Sequence, residues 1–240
     1  MTLIDSGNSV FFRNRFAVLF FLLFSVLLIP PFFENTVWIA KIWRSLFTLV
    51  LLWALYAASN NRRLLLFAVL LLIPTLATTW MADTGELRVV AYIDNFTNIA
   101  YFGLVSALLG RYLLHSRRVT VEVIFAAMCL YMILAILWAA VFSNIELFYS
   151  NAFLFRGEFA EQANVGPEDL LMHLTYYSFV TLSTLGYGDI IPANLVARNW
   201  AAMEAMIGQF FIAIVIARLV SIYSQQSELE RADQAANTAR

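Results

Sequence analysis

The chain has 240 residues, of which 62% are hydrophobic and 13% are charged. The charged share is about half that of an average soluble domain, and the mean hydropathy is +0.76. This composition excludes a disordered chain and argues against a soluble globule, which could not hide so much apolar surface from water. A net charge of −1 indicates neither a nucleic-acid partner nor an acidic substrate, and the lone Cys129 excludes an intrachain disulfide.

Six apolar stretches are long enough to cross a bilayer core of about 30 Å, which takes about 20 helical residues. They are 16–33, 38–58, 64–80, 89–110, 119–141 and 200–223. The first stretch lacks a small-residue cleavage site, so we interpret it as an uncleaved span and not as a signal peptide. A seventh stretch, 170–185, is shorter, rich in threonine, serine and tyrosine, and followed by glycines, which is typical of a re-entrant segment.

The distribution of arginine predicts the orientation. With the N-terminus inside, nine arginines fall in inner segments and three in outer segments. The positive-inside rule therefore predicts that both termini are cytoplasmic.

The predicted outer loop is acidic and leads into a short helix. Five acidic residues stand against Arg156 between positions 143 and 169, and they form either a solvated loop or a negative vestibule that gathers cations. Gly166-Pro167-Glu168-Asp169 favours a helix start. We expect this helix to reach about Ser183 and stop near mid-depth, with the negative end of its dipole facing a central cavity.

The nonapeptide from Thr181 to Asp189 reads TLSTLGYGD. It resembles the pore signature of potassium channels, whose core reads TVGYGD. The resemblance covers about 119–223 and is greatest with small bacterial channels that have a two-span pore module. It implies four identical subunits around one pore, because each chain supplies one strip of oxygens. Leu185 stands where the family usually has valine or isoleucine.

The residue types of this motif suit a dehydrated potassium ion, which needs oxygens in place of water. Backbone carbonyls can supply them where Gly186 and Gly188 adopt positive φ without steric cost. The resemblance implies coordination by the carbonyls of Thr184, Leu185, Gly186 and Tyr187, with the Thr184 hydroxyl at the inner end. Potassium is then the permeant ion, and no cofactor is expected. The residues predicted to support this filter are Thr181, Ser183, Gly188, Asp189 and Glu204.

The last span is predicted to hold the gate. Gly208 is either the hinge glycine that the resemblance implies or a site of close helix packing. A face of this helix carries Ile212, Ile216, Val220 and Ser224, and we expect it to line the cavity. Ile216 or Val220 would form an apolar constriction that gates by dewetting.

Glu204 in the same span is predicted to lie behind the pore helix, because an isolated carboxylate in hydrocarbon is costly. We expect it to hydrogen-bond near Thr181 or Ser183. The alternative is a carboxylate at the level of the lipid headgroups.

The first four spans carry no comparable motif. Span four, 89–110, has no basic residue, which predicts weak or absent voltage dependence, since a sensor needs movable charges in the field. Arg44 or Lys41 in span two is predicted to pair with Asp94 in span four. The alternative is that both basic side chains extend to the outer headgroups.

The predicted fold is an all-α membrane protein with six transmembrane helices, a re-entrant pore helix and a selectivity filter. Its segments are a cytoplasmic N-terminus (1–15), a four-span peripheral domain (16–118), a pore domain (119–224) and a cytoplasmic tail (225–240). The tail is expected either to extend the inner helix or to be disordered. The pore domain divides into outer helix 119–141, outer loop 142–167, pore helix 168–183, filter 184–189 and inner helix 200–224.

These features predict a homotetrameric potassium channel of a bacterial inner membrane. Membrane lipids are the expected surroundings, and neither nucleic acid nor a soluble partner is expected. The alternative is a poorly selective or stimulus-gated cation channel of the same fold. A membrane enzyme or a transporter is disfavoured, because no nucleophile–base pairing is evident and only the second half of the chain has a broken helix.

Overall fold

The computed structural model describes residues 15–29, 32, 39–58, 62–81, 88–156 and 167–238. Within these ranges the chain forms helices and one short two-stranded sheet. In chain order they are α1 (Arg15–Leu28), α2 (Ile39–Ala58), α3 (Arg62–Met81), α4 (Arg88–His115), α5 (Val121–Phe148), β1 (Phe153–Phe155), α6 (Pro167–Leu182), β2 (Ile190–Pro192) and α7 (Leu195–Thr238).

Each of the six apolar stretches lies largely in a helix of its own, yet the described residues contain two candidate membrane spans and not six. By length and composition these are Val121–Phe148 and Leu195–Glu228. Helix α1 has 14 residues, which at 1.5 Å per residue is about 21 Å, less than the bilayer core. Helix α3 carries Pro74 in its interior.

Helices α5 and α7 are longer than predicted, whereas α6 has the predicted length and begins one residue earlier. Helix α5 ends at Phe148 instead of 141, and α7 runs from Leu195 to Thr238 instead of 200–224. The start of α7 follows from Asn194, whose side chain accepts the Ala197 N–H at 2.8 Å as an N-cap. Its polar end is rich in Gln, Glu, Arg and Ala, which are good helix formers. The predicted tail therefore extends the inner helix.

The outer loop contains the structure that an all-α prediction missed. Strands β1 and β2 pair antiparallel, with Leu154 opposite Ile191. The Glu146 carboxylate accepts the backbone N–H groups of Asn151 and Phe153, each at 2.8 Å, which turns the chain from α5 into β1. The predicted acidic vestibule stays a prediction, because residues 157–166 lie outside the described ranges.

Helix α5 is shared by the two halves of the molecule. It packs against α1 and α4 on one side and against α6 and α7 on the other. Asn95 of α4 donates from Nδ2 to the Ser143 hydroxyl of α5 at 2.9 Å in a buried bond. The Tyr92 hydroxyl donates to the Leu147 carbonyl at 2.7 Å. These bonds tie the peripheral helices to the pore half at the predicted outer end.

The predicted charge pair lies within this peripheral bundle. Arg44 of α2 is buried, with 3% of its surface exposed. Lys41, one turn earlier, is exposed. On α4, Asp94 accepts a hydrogen bond from Asn98 Nδ2 at 2.9 Å. Pairing of Asp94 with either basic residue stays a prediction.

Helices α6 and α7 meet backbone to backbone at Gly208. A Cβ atom placed on Gly208 would lie 2.2 Å from the Leu182 carbonyl oxygen, a distance that real Cβ atoms essentially never show. One turn earlier on both helices, Glu204 lies against Ser178. The structure thus gives Gly208 the close-packing role, and α7 is one continuous helix through it. The hinge role stays a prediction.

Replacement of Gly208 by alanine should lower stability, because neither the carbonyl nor the α7 backbone can yield without separating the helices. We expect a loss of about 1–3 kcal/mol, the usual effect of overpacking, measured as a lower midpoint of thermal unfolding in detergent. Gly103→Ala is the matched control, since its Cβ would make an ordinary 3.7 Å contact with Leu137 and alanine favours helix. Equal midpoints for the two variants would contradict the packing role.

Candidate functional site

The C-terminus of α6 is the start of the predicted filter. The Leu185 N–H donates to the Val180 carbonyl and the Thr184 N–H donates to the Thr181 carbonyl, both at 2.9 Å. This pair of bonds is the Schellman arrangement, which needs a left-handed residue just after the helix. Thr184 fills that position with φ of 59°, although glycine is usual there. The chain therefore turns sharply after the helix into residues 184–189, here called the filter segment because the sequence predicts a filter there.

The remaining carbonyls of this last turn also have donors. The Tyr131 hydroxyl of α5 donates to the Leu182 carbonyl at 3.1 Å. The Ser183 hydroxyl and N–H reach the Phe179 carbonyl at 2.7 and 3.1 Å. A helix end that is satisfied in this way does not need water, so α6 can stop inside the protein.

Positive φ recurs at every second residue of the filter segment. The values are 59° at Thr184, 62° at Gly186 and 81° at Gly188. The two glycines therefore have the conformation that the sequence predicts for them. Thr184 is different, because a β-branched residue in the left-handed region is strained and persists only where its surroundings hold it. Gln209 of α7 contributes to this hold by donating from Nε2 to Thr184 Oγ1 at 3.3 Å.

The outer end of the segment is anchored through Asp189. One carboxylate oxygen accepts the Tyr176 hydroxyl of α6 at 2.6 Å, and the other accepts the Ile190 N–H at 2.9 Å. The Asp189 carbonyl accepts the Arg156 N–H at 2.8 Å, just past β1. The filter segment is therefore held at its inner end by the α6 turn and at its outer end by α6 and the sheet.

Glu204 is fully buried behind α6, as predicted, but its partner differs from the expected one. The carboxyl group is hydrogen-bonded to Ser178 and not to Thr181 or Ser183. The Ser178 hydroxyl is also within 2.7 Å of the Ala135 carbonyl. A hydroxyl has one proton and cannot donate to both acceptors. The protonated acid form of Glu204 satisfies both, since it donates to Ser178 while Ser178 donates to Ala135.

The residues that would face a central axis are exposed in the single chain. Leu185 and Tyr187 are 56% and 68% exposed, and Thr184 and Gly186 are also exposed. On α7, the face predicted to line the cavity is exposed along its whole length: Ile212, Ile216, Val220 and Ser224. The neighbouring face, with Phe211, Val215 and Leu219, packs against the core. Within the part of the chain that the structure describes, these predicted filter and cavity residues are therefore left largely uncovered.

Sequence reasoning missed four residues of the site: Tyr131, Tyr176, Ser178 as the partner of Glu204, and Gln209. Each is a polar side chain in an apolar helix, which is the signal that singled out Glu204. Spacing along the chain does not show which backbone group each one meets. That depends on the depth at which α5, α6 and α7 lie against one another.

Comparison with known proteins identifies the kind of domain that carries this geometry. Residues 118–225 match a family model described as "Ion channel". The matched segment is therefore similar to an ion channel domain, a kind of domain that lies in a membrane. The match includes α5, α6, the filter segment and most of α7, and it does not extend to α1–α4.

Potassium channels are among the relatives of this segment. It is 37% identical over 65 residues to Two pore potassium channel c of Oryza sativa subsp. japonica, which covers 27% of this chain and 14% of that protein. It is 31% identical over 71 residues to A-type voltage-gated potassium channel KCND3 of Homo sapiens and Rattus norvegicus, covering 27% of this chain and 11% of those proteins. No solved structure is significantly similar. These potassium channels are thus similar to this chain over a short segment, and the chain spans only a small part of their length.

Loss of the Tyr176 hydroxyl should loosen the outer end of the filter. Tyr176→Phe removes a hydrogen bond to a carboxylate, which is worth about 1.5–3 kcal/mol, and we expect a lower midpoint of thermal unfolding. Tyr223→Phe is the matched control, because Tyr223 is 66% exposed and its hydroxyl has no hydrogen-bond partner among the described residues. A Tyr176→Phe protein as stable as this control would show that the anchor is dispensable.

Glu204 and Ser178 should respond differently to substitution. Glu204→Gln keeps a neutral group that donates to Ser178, so we expect the unfolding midpoint to change little. Ser178→Ala leaves a buried carboxyl without its partner, at a cost of about 1–3 kcal/mol. Both variants are compared with wild type in the same detergent. If Glu204→Gln destabilises the protein as much as Ser178→Ala, the carboxyl group is ionised and the hydrogen-bond assignment is wrong.

Proposed function

We propose that the chain is one subunit of a homotetrameric, potassium-selective channel that conducts K⁺ passively and depends weakly or not at all on voltage. The proposed location is a bacterial inner membrane with both termini cytoplasmic. The backbone carbonyls of Thr184, Leu185, Gly186 and Tyr187, with the Thr184 hydroxyl, form the ion sites.

The alternating positive φ at Thr184, Gly186 and Gly188 is the observation that carries this proposal. Successive residues that all have negative φ usually place their carbonyls along a helix axis or on alternate sides of a strand. A backbone in which positive φ recurs at every second residue is different, because it can point successive carbonyls toward one line. It occurs within the TLGYGD sequence, at the end of a helix whose dipole favours a cation beyond it.

Assembly of four copies is supported by what a single chain leaves uncovered. Tyr187, Leu185 and the Ile216 face of α7 are large apolar surfaces that the other described residues leave exposed. Cyclic symmetry around the filter would place these surfaces on the axis or against a neighbouring copy. One chain has one strip of carbonyls, so a coordination shell needs several chains.

The peripheral helices support weak voltage dependence. Helix α4 has Arg88 at its start and Arg111 near its end, with no basic residue between them. Its centre instead carries Asp94, Asn95 and Asn98, of which the two asparagines are buried. The six-span arrangement belongs to this proposal and requires α1–α4 to lie in the membrane as well.

Ion flux from liposomes tests the proposal. We expect purified protein to carry K⁺ and Rb⁺ much faster than Na⁺. Gly186→Ala should abolish the flux, because the φ of 62° costs an L-residue about 1–2 kcal/mol and alanine would shift the backbone carbonyls. A steric clash would not explain the loss, since no described atom lies within 4 Å of the Cβ position. Gly103→Ala, which lies outside the pore half, is the control that should conduct. Equal Na⁺ and K⁺ flux would support the poorly selective alternative, and the absence of flux would contradict a constitutively open pore.

The proposed constriction on α7 is tested with serine. Ile216→Ser or Val220→Ser should make the inner cavity wet, which raises conductance and weakens the closed state. Single-channel recording and block by an internal quaternary ammonium ion measure the change. Phe210→Ser is the control, because Phe210 is exposed and points about 120° away from Ile216 and about 80° away from Val220 around the helix axis. Unchanged conductance and block in both test variants would exclude a gate at these positions.

A further inference from the structure

A crevice of about 170 Å³ lies between α4, α5 and α7, away from the filter. Its wall is almost wholly apolar and includes Gly110 and Leu113 of α4, Leu130 of α5, and Phe211, Val215 and Leu219 of α7. An apolar cavity of about 150 Å³ holds a molecule of benzene. The crevice therefore has room for a short length of hydrocarbon chain.

Arg218 is the charged residue of this wall. Its guanidinium group binds the carbonyls at the end of α4: Nε donates to Leu113 at 3.3 Å, and Nη2 donates to Leu114 and Ser116. These bonds fix the group at the edge of the crevice. Nη1 makes no hydrogen bond within the part of the chain that the structure describes, which leaves its donors for a ligand.

More positive charge adjoins Arg218. Arg117 and Arg118 directly follow Ser116, whose carbonyl Arg218 binds, and consecutive Cα atoms are about 3.8 Å apart. Both side chains are exposed, as is that of Arg111 about one turn before the end of α4. Glu122, in the first turn of α5, is the nearby residue of opposite charge in the sequence. The balance at this end of the helices is strongly basic.

We propose that this crevice binds an anionic phospholipid of the inner leaflet, with part of an acyl chain between α4, α5 and α7 and the phosphate on Arg218 and its neighbours. The position at the inner face rests on the proposed orientation. Basic pockets between membrane helices on the cytoplasmic side bind such headgroups. A lipid suits the site better than free phosphate, because the space beside the guanidinium group is apolar.

The bound lipid would contact the inner helix next to the proposed constriction. Arg218 lies between Ile216 and Val220 in the sequence, and Val215 and Leu219 of the same turns line the crevice. A lipid wedged against this side of α7 would favour one position of that helix relative to α4 and α5. The peripheral helices would in this way share a regulatory lipid site with the pore.

Lipid binding is measured by native mass spectrometry of the purified full-length chain in detergent, with phosphatidylglycerol and phosphatidylcholine of identical acyl chains. We expect phosphatidylglycerol to bind at least about fivefold more tightly. Arg218→Gln should lose about that factor, which is the usual worth of one arginine near an anionic headgroup. Arg231→Gln, on the same helix but away from the crevice, should leave the preference unchanged.

Two further variants separate headgroup from tail. Arg117→Gln/Arg118→Gln removes charge without touching the bonds that Arg218 makes to α4, so it replaces Arg218→Gln if that protein does not fold. Gly110→Leu fills the crevice, and its Cβ has ordinary space, 3.9 Å from Leu130. It should weaken the binding of both lipids. Unimpaired binding in Gly110→Leu would show attraction to surface charge alone and overturn the proposal.

Other outcomes would also overturn it. Equal binding of the two lipids excludes recognition of charge, and displacement of phosphatidylglycerol by millimolar inorganic phosphate indicates a free-anion site. Disulfide-linked pairs of a Leu114→Cys protein, in a Cys129→Ala background, would show a second copy over the crevice. None of these measurements requires conduction. Binding without flux therefore contradicts the proposed function alone, and flux without selective binding contradicts this inference alone.

Discussion

The carbonyls in the last turn of α6 have no partners within the helix and need donors from elsewhere. The Leu185 and Thr184 N–H groups satisfy two of them, the Ser183 hydroxyl a third and the Tyr131 hydroxyl a fourth. The first two bonds bend the chain back so that the filter segment begins at the negative end of the helix. The strained φ of Thr184 is a consequence of this turn.

The same helix end sets the depth of α7. Because Gly208 has no side chain, α7 approaches the Leu182 carbonyl directly, and the parallel course of the two helices then brings Glu204 to Ser178 one turn above. Gln209 comes to Thr184 on the other side of the same contact. One close approach of two backbones thus determines which polar groups of α7 meet α6. Both polar contacts are hydrogen bonds and not ion pairs.

Sequence reasoning located the site well where the information was local. The positive φ of Gly186 and Gly188 and the burial of Glu204 behind α6 were expected from residue type and spacing. The face of α7 with Ile212 and Ser224 is exposed, and its role in lining a cavity stays a prediction. The predicted partner of Glu204 was about one helical turn away from the observed partner, Ser178. The spacing of residues within α7 does not show how far α7 is shifted along α6. The strands β1 and β2 were missed, since three residues are too few for an alternating pattern to be visible.

The sequence by itself determined the hydrophobic helices, the break in apolarity at residues 184–189 and the absence of basic residues from the middle of α4, because composition and short-range periodicity act within one element. Only the tertiary structure decided the partners of Tyr176, Glu204, Gln209 and Arg218. Those contacts join residues that are 13 to 105 positions apart. They depend on how far one helix slides along another, and that distance is set by the packing of whole surfaces.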